Sequence, residues 1–131
     1  MRDMMKPKVA MGNIFPDQKS VRDFAREHGF SGIEWSFGLA EIPRTPTEQS
    51  AWVHEAMALS PFEVRFHCPF HQVDLGHDDP DEAKAADDLF RHIIRLVSKT
   101  AGTYLTIHVG LGLDSMETLS WERTIKNLRE W

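Results

Sequence analysis

Cysteine is nearly absent from this sequence, since Cys68 is the only one in 131 residues. A single cysteine excludes a disulfide within the chain and fits the reducing environment of the cytoplasm. Apolar runs are also short, and none approaches the roughly 18 residues that a membrane-spanning helix needs. The first segment, MRDMMKPKVAMGNIF, lacks the sustained apolar stretch of a signal peptide. We therefore expect a cytoplasmic protein that has no membrane partner.

An excess of basic charge is missing too. Lys and Arg number 15 against 20 Asp and Glu, which gives a formal net charge of −5. Proteins that bind nucleic acids usually present a basic face to the phosphate backbone, so a nucleic acid is not an expected partner. The length and the ordinary 41% hydrophobic content predict one globular domain over residues 1–131.

Four short apolar segments alternate with four amphipathic segments along the chain. The apolar segments predict strands at residues 9–15, 32–37, 62–66 and 104–108. The intervening helices are expected to begin at Ser20, at Thr47, at Asp79 or Asp81, and at Ser115 or Ser120. Strands separated by helices pair in parallel through right-handed crossovers, so the order predicts an α/β fold with a parallel sheet.

Each predicted strand ends near a polar side chain: Asn13, Glu34, His67 and His108. Ligands of parallel α/β folds bind at the carboxyl ends of the strands, and these four residues are predicted to lie on that rim. Glu34 is the only carboxylate among the four, which makes it the candidate general base.

The two strand-end histidines allow two interpretations. Imidazole is a common ligand of transition metals, and neighbouring parallel strands bring such side chains within reach of one ion. Glu34, Asp74, a water molecule or another chain would have to complete the site. Alternatively, His67 and His108 are buried strand-end residues bonded to neighbouring backbone. Cys68 is expected to be a small buried side chain rather than a ligand.

The stretches FPDQKSVRDFAREHGFSGIEWSF, VRFHCPFHQVDLGH and YLTIHVGLG resemble the N-terminal half of the xylose-isomerase-like TIM barrels. This is the sugar phosphate isomerase/epimerase group, which also contains endonuclease IV-type enzymes. The resemblance implies an eight-stranded barrel in which His67 and His108 are metal ligands. It also implies a pocket wall formed by Asn13, Glu34, His67 and His108, with substrate contacts at Asn13, Trp35 and His71.

A complete barrel of this type takes about 250 residues, so the sequence covers a (βα)4 half-barrel. An open four-stranded parallel sheet leaves two unpaired edges and, as we expect, one uncovered apolar face. Four more strands would close this sheet into a barrel. They would come from a homodimer partner, from a second half-barrel chain, or from a missing second half of a longer enzyme.

The resemblance and the half-barrel length together suggest three functions. The first is metal-assisted isomerisation or epimerisation of a sugar or sugar phosphate, with zinc, manganese, cobalt or magnesium as the divalent ion. The second is a non-catalytic metal- or ligand-binding half-barrel that self-associates, its four imidazoles coming from two subunits. An endonuclease IV-like phosphoesterase is the third, and the acidic charge opposes it.

Overall fold

The computed structural model describes residues 8–102 and 104–131. The expectation that no signal peptide is present falls partly on residues 1–7, outside the described residues. The elements form four strand–helix units. The strands are β1 (Ala10–Gly12), β2 (Gly32–Ser36), β3 (Glu63–His67) and β4 (Tyr104–Thr106), and the helices are α1 (Gln18–Glu27), α2 (Pro46–Met57), α3 (Pro80–Val97) and α4 (Trp121–Arg129).

The four strands make one parallel sheet in the order β1-β2-β3-β4. The predicted α/β fold with alternating strands and helices is therefore confirmed. The outer strands are shorter than predicted, with three residues each. Two short 3-10 turns, Leu39–Glu41 and Met116–Thr118, precede α2 and α4. In the described part of the chain, no helix combines the length and hydropathy that crossing a membrane requires.

Side-chain alternation along the strands separates two faces of the sheet. The buried face packs against α1, α2 and α3 through a core of large apolar side chains. The indole of Trp35 stacks on that of Trp52 at a centroid distance of 5.0 Å, and Trp52 stacks on Phe66 at 5.1 Å. This aromatic stack joins β2, β3 and α2 and anchors the sheet to the helices.

The other face of the sheet is not apolar, which corrects the expectation of an uncovered apolar face. We call it the open face. It carries Ala10, Gly12, Glu34, Ser36, Glu63, Arg65, His67, Tyr104 and Thr106. Small and polar residues tolerate contact with water, so this face needs no apolar cover to be stable.

Two helices begin at different residues from those predicted. Asp17 rather than Ser20 caps α1, since its carboxylate accepts the Ser20 backbone N–H at 2.8 Å. Thr45 rather than Thr47 caps α2, in a capping box with Glu48. Both neighbours were chemically suitable caps, and the extended backbone at Asp17 and Thr45 decides between them.

Candidate functional site

The strands β2, β3 and β4 place three predicted site residues side by side on the open face. Their register sets Glu34 opposite Arg65, and His67 opposite both Ser36 and Thr106. Glu34 and His67 are therefore diagonal neighbours on adjacent strands. His108 follows β4 by two residues, and its ring lies 4.8 Å from the His67 ring, centroid to centroid.

The two imidazoles meet through the same type of nitrogen. His67 Nε2 lies 2.5 Å from His108 Nε2. Two bare lone pairs repel each other at this separation, so either one Nε2 carries a proton that it donates to the other, or a cation lies between them. The side chains are partly buried, which strengthens this requirement because water screens the repulsion less.

Glu34 sets the orientation of the His67 ring. Its Oε1 atom lies 3.2 Å from His67 Nδ1, so Nδ1–H donates to the carboxylate and Nε2 keeps its lone pair. A carboxylate on the far nitrogen is the usual support of a metal-binding or proton-transferring histidine. Sequence reasoning had found no partner for Glu34, because the diagonal contact depends on the register of β2 against β3.

Aromatic packing holds the second imidazole. The Phe70 ring meets the His108 ring edge-on at a centroid distance of 4.9 Å. Phe70 comes from the loop after β3, and it lies in the VRFHCPFH stretch that carries the family resemblance, although it is not among the predicted site residues. Its ring limits how far the His108 ring can turn away from His67.

The remaining candidate ligands do not join this pair. Within residues 8–102 and 104–131, no group of three or more His, Cys, Asp and Glu side chains is arranged to hold a metal ion. Asp74 is buried and its carboxylate accepts two backbone N–H groups. Cys68 is also buried, and desolvation raises the pKa of its thiol from 9.0 to about 12. This thiol is therefore protonated at neutral pH and unsuited to metal binding.

The three predicted substrate contacts fall in different places. Asn13 makes a two-way bond with the backbone of Ser36, donating from Nδ2 to the carbonyl at 2.9 Å and accepting the N–H at Oδ1 at 3.0 Å. Trp35 is 5% exposed and lies in the core, on the opposite face from Glu34. His71 is exposed, and its ring packs in a tilted arrangement against Phe70 at a centroid distance of 4.6 Å. None of the three contacts the histidine pair by a described hydrogen bond.

Glycines after β4 serve loop packing. A Cβ atom on Gly112 would lie 2.5 Å from the Val73 carbonyl oxygen and 2.7 Å from that of Phe70. Gly110 has φ +87°, a conformation that side chains disfavour, and its N–H already donates to Asp74. This N–H is therefore not available to bind a ligand.

The chain was compared with protein-family models and with curated proteins, and neither comparison finds a match. The resemblance to the xylose-isomerase-like barrels thus stays a prediction, and the function is argued from the geometry of Glu34, His67 and His108.

Proposed function

We propose that the open face binds a divalent metal through His67 and His108. In this proposal the chain serves sugar phosphate isomerase or epimerase chemistry, a metal-assisted proton transfer on a sugar or related hydroxy-carbonyl compound. The observation that carries the proposal is the convergence of the two Nε2 atoms to 2.5 Å at the carboxyl end of a parallel sheet. Ligands of α/β proteins bind at this end.

The donor set fits a transition metal in chemistry and nearly in spacing. Two nitrogens each bound to zinc at about 2.0–2.1 Å are about 3.3 Å apart in tetrahedral geometry, so the rings would separate by about 0.8 Å. His67 is the last residue of β3 and His108 follows β4, so such a sub-ångström rotation leaves the sheet intact. Imidazole donors favour zinc or cobalt over manganese and magnesium, which prefer oxygen ligands.

A bound metal would polarise a carbonyl or hydroxyl oxygen of the substrate. The chain's own residues then supply the proton chemistry. Glu34 is the proposed base, because its side chain is 43% exposed and lies beside the pair. The other carboxylate of the open face, Glu63, begins β3 while His67 ends that strand, so Glu63 lies away from the histidine pair.

Metal titration tests the proposal. Zinc or cobalt added to the purified chain, followed by calorimetry or by the visible absorption of cobalt, should show saturable binding. His67→Ala and His108→Ala should each weaken the affinity by at least 100-fold. His71→Ala is the matched control, since that imidazole is exposed and outside the pair, and its affinity should equal that of the unmodified chain.

A second pair of variants tests the role of Glu34. Glu34→Gln should weaken metal binding roughly 10-fold by removing the charged acceptor from His67, whereas Glu63→Gln should leave it unchanged. A chain that binds no metal, or an equal loss in the His71 variant, would contradict the proposal. Exchange of substrate C–H hydrogen for solvent deuterium, across a panel of sugars and sugar phosphates, then reports the proton transfer.

The unpaired sheet edges favour a second candidate, a non-catalytic metal- or ligand-binding half-barrel that self-associates. Within the described residues, β1 and β4 each have a partner on one side only. Two copies related by a two-fold axis would pair these edges and place two histidine pairs in one lumen. Stoichiometric metal without deuterium exchange on any sugar would favour this candidate over the isomerase.

A further inference from the structure

Asp74 is a buried carboxylate that the proposed chemistry does not use. It is 1% exposed and lies in the loop between β3 and α3. Its Oδ1 atom accepts the Gly76 N–H at 2.9 Å, and its Oδ2 atom accepts the Gly110 N–H at 2.5 Å. A buried carboxylate is costly unless it is hydrogen-bonded, and here backbone amides supply both bonds.

The second of these bonds reaches the chain just beyond the site. Gly110 lies two residues after His108, at a turn in the loop after β4 where its φ is +87°. Asp74 Oδ2 therefore holds the chain at the turn that ends the segment carrying His108. The backbone between the β4 strand and this turn is fixed at both ends.

The loop that carries Asp74 is itself attached to α4. The Ser120 N–H donates to the Gly76 carbonyl at 2.7 Å, and Asn127 Nδ2 donates to the Leu75 carbonyl at 3.1 Å. Arg123 donates to the carbonyl oxygens of His77 and Asp78. These bonds give Asp74 a rigid base from which to hold Gly110.

We infer that Asp74 is a positioning residue for His108. By fixing the turn at Gly110, its carboxylate keeps His108 Nε2 against His67 Nε2, while touching neither a ligand nor the histidine rings themselves. This inference deepens the proposed function and rests on it for its metal readout. The position of the His108 ring can also be measured in the metal-free chain, because the His67 and His108 rings are already in contact there.

The test variant is Asp74→Asn, which keeps the shape of the side chain but turns one acceptor oxygen into an NH2 group that opposes a backbone N–H. We expect metal affinity to fall 10- to 100-fold, the range for loss of a group that orients a ligand. The ring ¹⁵N signals of His108 should shift in the metal-free variant, while those of exposed His54 on α2 stay in place. Asp78→Asn, in the same loop but exposed, is the matched control and should change neither readout.

Measurement on the unmodified chain covers the case in which Asp74→Asn does not fold. The bond from Gly110 N–H to Asp74 Oδ2 predicts a scalar coupling from the Gly110 ¹⁵N to the Asp74 ¹³Cγ. Absence of this coupling overturns the inference. So does a folded Asp74→Asn variant with unchanged affinity and unchanged His108 signals. If the unmodified chain binds no metal but the variant shifts the His108 signals, the proposed function fails and the positioning role stands.

Discussion

At the scale of single residues, strand alternation decides which side chains are available for chemistry. Glu34 and Trp35 are adjacent in the sequence, yet the first lies on the open face and the second in the core. The resemblance to the xylose-isomerase-like barrels implies that Trp35 contacts the substrate. Because side chains alternate between the two faces of a strand, Trp35 instead faces the helices, where its ring stacks on Trp52.

Burial of Cys68 predicts that its thiol is unreactive in the folded chain. The thiol is 1% exposed, and desolvation raises its pKa from 9.0 to about 12. Only the thiolate attacks alkylating reagents, so the folded chain should resist iodoacetamide at pH 8 and react with it in guanidinium chloride. Mass spectrometry counts the added groups. Stoichiometric labelling of the folded chain within minutes would contradict this environment.

The same shift predicts how the stability depends on pH. The pKa of Cys68 is higher in the folded chain than in the unfolded one. The contribution of the buried thiol to the free energy of unfolding is therefore complete below pH 9. It is lost as the pH rises from about 9 toward 12, because in that range the thiol ionises readily only in the unfolded chain. Unfolding in urea at several pH values measures this loss, and Cys68→Ala should reduce the steepness of the decline.

At the scale of elements, helix starts depend on local hydrogen bonds that residue types only suggest. Thr45 accepts the Glu48 N–H at 3.2 Å, while the Glu48 carboxylate accepts the Thr45 N–H at 3.0 Å. These reciprocal bonds satisfy two donors that a helix start leaves free. They also lower the pKa of Glu48, with the Thr45 backbone bond as the largest cause.

Thr45→Ala should reduce the free energy of unfolding by about 1 kcal/mol, the usual effect of losing such a cap. Thr47→Ala is the control, because Thr47 lies exposed inside the first turn and alanine favours helix there. Urea unfolding monitored by circular dichroism compares the two variants. Equal midpoints would mean that the capping box does not stabilise α2.

The last helix, α4, has the predicted amphipathic pattern, but its apolar side chains are largely exposed rather than buried. Trp121, Ile125 and Leu128 recur at helical spacing but are 58%, 45% and 39% exposed. Only Thr124 of this helix is buried. The helix is instead held by polar contacts of Arg123 and Asn127 with the loop after β3.

At the scale of the whole molecule, the parallel sheet of the described residues ends in two short strands without outer partners. Edge strands favour pairing with another chain. We therefore predict self-association, with β1 of one copy beside β4 of the next. Light scattering across micromolar concentrations should give twice the mass of the 15.1 kDa chain. A monomer at every concentration, with a well-dispersed folded spectrum, would contradict this prediction.

Much of the architecture followed from sequence patterns. Apolar segments of strand length, alternating with segments of helical period, predicted the order of elements, and parallel pairing followed because helices separate the strands. The same patterns placed Glu34, His67 and His108 at one end of the sheet. These features are local or follow from chain connectivity, so they are determined without knowledge of distant contacts.

The tertiary structure alone decided how those residues meet. Strand register makes Glu34 the partner of His67, and it turns Asn13 toward the backbone of Ser36. Loop packing places the Asp74 carboxylate against the Gly110 N–H, which donates a hydrogen bond to it, so Asp74 is no longer a candidate metal ligand. A contact between residues about 30 to 40 positions apart depends on strand register and loop conformation together. No pattern of residue types along the chain encodes that combination, because many registers and loop paths satisfy the same pattern.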